Sequence, residues 1–203
     1  MTQQEQISLA GRPDFAAIAA WIRPNARVLD LGCGDGLLLK YLKHTRGVSG
    51  YGVEINDDKV IASLRNGINV IQGDLERGLA EFEDGAFDYV ILSQTLQAMR
   101  QTEVVLDEML RVGREAIVTF PNFGYWRTRW QLGVNGRMPV SDELPYQWYN
   151  TPNIHLCTLH DFEAFCAERG VRILERLVLH ENKPVRLLPN LRGSLAVYRC
   201  SKA

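Results

Sequence analysis

Apolar and polar positions follow two distinct periods through the first 120 residues. Short runs of β-type residues alternate with amphipathic stretches of helical length. The runs Arg27–Leu31, Ser49–Ile55, Val70–Ile71, Phe87–Leu92 and Glu115–Phe120 predict strands. Between them, Pro13-Asp14 opens a helix through Ile22, and a second helix runs from Gly36 to about Lys43. Caps at Asn56-Asp57-Asp58 begin a third, closed by Asn66-Gly67, and Thr102 begins a fourth that reaches about Arg111. Thr158 and Asp161 predict one more helix, to Arg169, before two closing strands at Arg172–Leu179 and Ser194–Cys200, expected to be antiparallel neighbours at the sheet edge. Alternation of this kind implies a parallel sheet with helices on both faces. The expected architecture is one α/β domain over residues 1–203, doubly wound and Rossmann-like, with seven strands in a mostly parallel sheet and an antiparallel edge strand.

The pattern breaks between residues 121 and 157. Residues 120–149 hold eight of the chain's 18 aromatics and three of its four tryptophans, interspersed with Arg127, Arg129 and Arg137. A stretch this long without period is functional or disordered, and its aromatic content argues against disorder. Three uses remain open: a lid over a pocket, a docking face for another protein, or aromatics packing the insertion onto the sheet.

Composition narrows the class. A length of 203 residues suits one domain, and 46% hydrophobic residues suffice for a core. A net charge of −1 leaves no electrostatic footprint for nucleic acid, and no apolar run is long enough to span a membrane. The polar start, Met1–Gly11, reads as a frayed arm without a signal peptide. Cys33, Cys157, Cys166 and Cys200 form no C-x-x-C pair, which suits reduced thiols in the cytoplasm. The string His155-x-Cys157-x-x-His160 has no fourth ligand nearby, so no metal is expected.

The chemistry concentrates where strands end. Val28-Leu29-Asp30-Leu31 runs into glycines at 32, 34 and 36, a buried strand entering a loop bare enough for a ligand to lie against. The helix that follows points free N–H groups at that loop. The spacing is G-x-G-x-G rather than the dinucleotide G-x-G-x-x-G, and no G-x-x-x-x-G-K-[ST] phosphate clamp occurs. Glu54, at the end of the second strand, suits a pair of ribose hydroxyls, and Asp74, after the third, suits an adenine amino group. Ser93-Gln94 follows the fourth strand at the same sheet edge. An acidic loop, a ribose acid and an adenine acid fit a nucleoside bearing a cationic centre and an ammonium group, as S-adenosylmethionine does. Cys33 within the loop has no adjacent base to make it a nucleophile and reads as a small residue fitting the turn.

Asp30-Leu31-Gly32-Cys33-Gly34-Asp35-Gly36, Gly52-Val53-Glu54, Gly73-Asp74-Leu75 and Phe87-Asp88-Tyr89-Val90 resemble the class I S-adenosylmethionine-dependent methyltransferases. The resemblance implies that Asp30 with Gly32, Cys33, Gly34 and Gly36 holds the methionyl part of S-adenosylmethionine or S-adenosylhomocysteine. It further implies that Glu54 with Ile55 holds the ribose, that Asp74 with Leu75 holds the adenine, and that Ser93 and Gln94 complete the site. A closer resemblance, to the methionine biosynthesis protein MetW family, rests on Arg12-Pro13-Asp14, Ser93-Gln94-Thr95-Leu96-Gln97-Ala98, Phe120-Pro121-Asn122-Phe123-Gly124-Tyr125-Trp126 and Thr151–Thr158. It implies a role beside homoserine O-acetyltransferase in bacterial methionine synthesis. The Asn/Asp-Pro-Pro-Tyr/Phe motif of amino-methylating relatives is replaced by Ser93-Gln94-Thr95-Leu96, so no catalytic residue is assigned. Gln94, Gln97, Asn122, Tyr125 and His155 remain acceptor-side candidates. The alternative function is methyl transfer to a small molecule.

Overall fold

The computed structural model describes residues 12–203; the polar arm expected over Met1–Gly11 lies outside them. Strands β1 (Arg27–Leu31), β2 (Ser49–Glu54), β3 (Val70–Gln72), β4 (Phe87–Ser93), β5 (Gly113–Pro121), β6 (Val171–His180), β7 (Lys183–Pro184) and β8 (Leu195–Lys202) form one sheet, in the order β3-β2-β1-β4-β5-β8-β6-β7. The first five pair in parallel; β8 runs antiparallel between β5 and β6, and β7 pairs antiparallel with β6. Among the described residues the sheet has eight strands rather than the expected seven. The extra one is a two-residue return after the turn at Glu181 and Asn182, both at positive φ, as a tight hairpin demands. It is too short to leave a period in the sequence.

Helices α1 (Pro13–Trp21), α2 (Leu37–Arg46) and α3 (Asp57–Arg65) precede α4 (Thr102–Val112), α5 (Trp126–Gly133), α6 (Leu159–Glu168) and the single turn α7 (Pro189–Arg192). Local chemistry fixes their ends. The Asn56 side chain accepts the Lys59 N–H at 3.1 Å to cap α3, Thr158 and Asp161 form a reciprocal capping box on α6, and Gly47 ends α2 at φ 66°. Helix α5 lies in the insertion, where no helical period was legible; its only buried residue is Thr128.

Strand alternation divides the core between the two faces. Leu29, Leu31, Val90, Leu92, Val118 and Phe120 pack with α4 and α6 on one face. Val28, Tyr89, Ile91, Ile117 and Val197 pack with α1 and α2 on the other. Burial on both faces is why these strands read as continuous apolar runs. Asp30 interrupts β1, and the carboxyl ends of β1, β2 and β4 open onto one crevice at the point where strand order reverses.

Candidate functional site

That crevice is a cavity of about 1100 Å³. Asp30, Gly32, Cys33, Gly34, Glu54, Ile55, Asp74, Leu75, Ser93 and Gln94 all line it. Gly36 does not. Its φ of 76° turns the chain into α2, and an added Cβ would stand 2.9 Å from both Ile68 Cγ1 and Ser63 Oγ, so it packs the loop against α3.

The glycine loop is built by hydrogen bonds to its neighbours. Gly32 and Cys33 both donate to the Val53 carbonyl, at 2.8 and 3.0 Å. Gly32, at φ 68°, lies so close to Thr95 that a Cβ would meet its Oγ1 at 2.8 Å. Gly34, at φ 59°, has open space where a Cβ would point. Cys33 lies against Gly52, where a Cβ would approach the Cys33 sulfur to 2.3 Å. Burial, reinforced by the Asp30 carboxylate, pushes the Cys33 thiol up to about 12, so it stays protonated and inert.

Glu54 is buried yet thoroughly satisfied. One carboxylate oxygen accepts the Gly34 N–H at 2.9 Å, and the other accepts those of Ile55 and Asn56 at 3.0 Å each. It joins the loop after β1 to the start of α3 at the cavity wall. Asp74 caps the turn Leu75–Arg77 by accepting the Glu76 N–H at 3.0 Å. Asp30 differs from both. Its carboxyl is pushed up to about 7, chiefly by desolvation; the Arg12 guanidinium opposes the rise, and Asp14 and Glu54 add to it.

Ser93 belongs to a network the sequence did not disclose. Arg12 donates to both oxygens of buried Asp14, at 3.0 and 2.8 Å, and to Ser93 Oγ at 2.7 Å, while Ser93 Oγ donates to Asp14 at 2.8 Å. Arg12 and Asp14 thus staple the start of α1 to the end of β4. Next to them Gln94 adopts φ 50°, its N–H donating to the Thr119 carbonyl and hydroxyl at 3.0 and 2.9 Å. Gln97 donates to the Gln94 carbonyl at 2.8 Å, and its buried Oε1 has no hydrogen-bond partner among the described residues.

The other candidates separate. Asn122 is a structural clamp, donating to the carbonyls of Asn190 and Gly193 at 3.1 and 2.8 Å and accepting the Gly124 N–H at 3.0 Å. Tyr125 is buried with its hydroxyl 3.2 Å from His180 Nε2. His155 turns to the Arg100 carbonyl at 3.3 Å, whereas His160 lies 3.9 Å from Glu163. From the insertion, Asp142, Glu143, Pro145 and Tyr146 roof the cavity, joined by Pro152, Asn153 and Ile154. Trp126, Trp130, Trp148 and Tyr149 remain exposed outside.

The donor set fits a cationic nucleoside. Three carboxyl groups, Asp30, Glu54 and Asp74, lie at or just past the ends of neighbouring strands, Gly34 leaves the loop open, and the buried Gln97 Oε1 has unused acceptor capacity among the described residues. Arg12 is already engaged by Asp14. Among the described residues no helix is long and apolar enough to cross a membrane.

The fold and the sequence both have known relatives. A Thermotoga maritima S-adenosylmethionine-dependent methyltransferase, a possible histamine N-methyltransferase, superposes with a TM-score of 0.69 at 18% identity, covering 99% of this chain and 95% of that one. Magnesium protoporphyrin IX methyltransferase from Synechocystis, solved with bound S-adenosylhomocysteine, gives 0.67 at 16% identity over 98% of this chain and 87% of that one. At such identities the likeness shows the fold. In sequence, the chain is 38% identical over 197 residues to the bifunctional methionine biosynthesis protein MetXA/MetW of Rhodopirellula baltica, covering 91% of this chain but spanning only 32% of that relative. Residues 12–200 match the family described as methionine biosynthesis protein MetW, and the chain belongs to that family.

Proposed function

We propose that this protein binds S-adenosylmethionine in the crevice at the carboxyl ends of β1, β2 and β4, and acts with homoserine O-acetyltransferase in methionine synthesis. The carrying observation is the convergence of Asp30, Glu54 and Asp74 on one cavity beside an open glycine loop. In this reading Asp30 faces the ammonium group, Glu54 takes the ribose hydroxyls with its remaining lone pairs, and Asp74 with Leu75 receives the adenine edge. Ser93 and Gln94 border the methyl-bearing end. The partner is suggested by the fused relative, in which a MetW part shares a polypeptide with MetXA.

The insertion gives this reading a physical route. Its inner residues roof the cavity while Trp148 and Tyr149 face outward. A partner held by the outer aromatics would therefore sense what the inner residues cover, and ligand and partner would change each other's affinity equally. Titration calorimetry with S-adenosylmethionine, with and without homoserine O-acetyltransferase, tests both parts. Binding of the nucleoside and a changed affinity with the enzyme present are expected. No binding in either preparation would reject the proposal.

A second reading, methyl transfer to a small molecule, is favoured by one observation: a polar cavity adjoins the first beyond Gln94 and Glu143. Bound S-adenosylmethionine would supply an electrophilic methyl on a sulfonium. The chain's own part would be to orient an acceptor along Gln94 and exclude water beneath the roof. Formation of S-adenosylhomocysteine on incubation with a metabolite extract, lost in Asp30→Ala, would support this reading over a purely regulatory one.

A further inference from the structure

The adjoining cavity, of about 670 Å³, lies between the insertion, the carboxyl end of β6 and the start of β8. Arg12, Gln94, Asp142 and Glu143 line both cavities, so the two share a wall. Along its floor runs a chain of side-chain hydrogen bonds. Ser194 Oγ donates to a Glu143 carboxylate oxygen and lies 3.3 Å from His180 Nδ1; His180 Nε2 lies 3.2 Å from the Tyr125 hydroxyl. Tyr125 and Ser194 are each 4% exposed. The chain ties together a loop of the insertion, the end of β6 and the residue before β8, elements far apart in sequence. Packing the insertion onto the sheet needs no such polar floor; apolar contacts would suffice.

Its consequence is to hold the Glu143 carboxylate at the seam between the two cavities. The other Glu143 oxygen accepts only a long bond from Ser141 Oγ, at 3.4 Å, which leaves acceptor capacity on the carboxylate. The charged lining residues are Arg12, Arg127, Asp142, Glu143 and Glu181. Arg12 is neutralised by Asp14, so the balance in the cavity is acidic. A cation is favoured there over an anion, in a concave polar site of small-molecule size.

We propose that this second cavity binds a small molecule bearing a primary ammonium group, ion-paired to Glu143, with the Gln94 amide contacting it from the shared wall. Occupancy of the two cavities is coupled through that wall; only the coupling rests on the nucleoside reading above. Ethanolamine serves as probe, titrated at constant ionic strength into the full chain and followed by amide ¹H–¹⁵N spectra. Saturable shifts are expected at Gln94, His180 and Ser194, with no comparable response to acetate. Glu143→Gln should raise the ethanolamine Kd at least tenfold while leaving the spectrum otherwise folded, and Ser194→Ala, which releases Glu143, should raise it severalfold. S-adenosylhomocysteine should change the wild-type Kd at least threefold. Equal response to acetate, shifts confined to the cavity around Glu54 and Asp74, or indifference to Glu143→Gln would overturn the site. If ethanolamine binds as expected and S-adenosylhomocysteine does not bind at all, the nucleoside reading falls and the second site stands.

Discussion

At the residue scale, Asp30 sets the most direct test. Its carboxyl is raised to about 7 from an ordinary value of 3.8, so in the unliganded fold it is largely protonated below neutrality. The protonated form is the one the fold favours. Its contribution to stability is therefore complete below about pH 4 and is lost as pH rises through about 7. A cationic ligand reverses the preference, because an ammonium group beside the carboxylate favours ionisation. Binding of S-adenosylmethionine at pH 6 should release close to one proton, read as a dependence of calorimetric heat on buffer ionisation enthalpy. Affinity should fall about tenfold per unit as pH drops below 7. Asp30→Asn should bind weakly at every pH and release no proton; an unchanged proton release in that variant would place the titrating group elsewhere. Glu54 is the opposite case. Three N–H groups already depend on it. Glu54→Gln should cost about 1–3 kcal/mol of stability, measured by urea unfolding, as well as at least tenfold in nucleoside affinity. A loss of affinity with stability untouched would mean that the loop does not rely on this carboxylate.

At the element scale, the contact between the glycine loop and β2 explains why the motif reads as it does. Gly52 has no Cβ because the Cys33 sulfur occupies the space, 2.3 Å from where one would stand. Gly52→Ala should destabilise the protein by about 1–3 kcal/mol through overpacking alone. Cys33→Gly in that background should recover most of the loss, a coupling that a double-mutant cycle in urea isolates. Additive effects would mean that the two residues do not compete for the same space. This pair also shows what the sequence could disclose. Strand runs, caps and glycines leave local signatures, so β1 to β5, the capping box at Thr158 and the cavity-lining residues at strand ends were legible. The staple of Arg12 and Asp14 on Ser93 spans about eighty residues, and the chain from Glu143 to His180 spans the insertion and two strands; neither leaves any period. Asn122 illustrates the same limit from the other side. A polar residue after Pro121 resembles an acceptor contact until the carbonyls of Asn190 and Gly193, far along the chain, are seen to accept from its amide nitrogen while the Gly124 N–H donates to its oxygen.

At the scale of the whole molecule, the insertion joins the site to the surface, and its two sides make different demands. Inward, Asp142, Glu143 and Tyr146 roof cavities. Outward, Trp148 and Tyr149 are 72% and 70% exposed and meet edge to face at 5.7 Å between ring centroids. Aromatic side chains this exposed contribute little to folding, whereas in an interface they are the residue types that dominate binding energy. Trp148→Ala with Tyr149→Ala should therefore leave the urea midpoint and the S-adenosylmethionine affinity nearly unchanged, since exposed substitutions away from special features stay within about 0.5 kcal/mol. The same pair should weaken association with homoserine O-acetyltransferase at least tenfold, measured by sedimentation or surface-immobilised binding. The Rhodopirellula relative is named as a bifunctional MetXA/MetW protein, and the partner proposed above is the one that name suggests. Full association by the double variant would move the partner's footprint off the insertion. A collapse of stability would instead make the two rings structural and return the insertion to the simplest of its three readings, aromatics that pack.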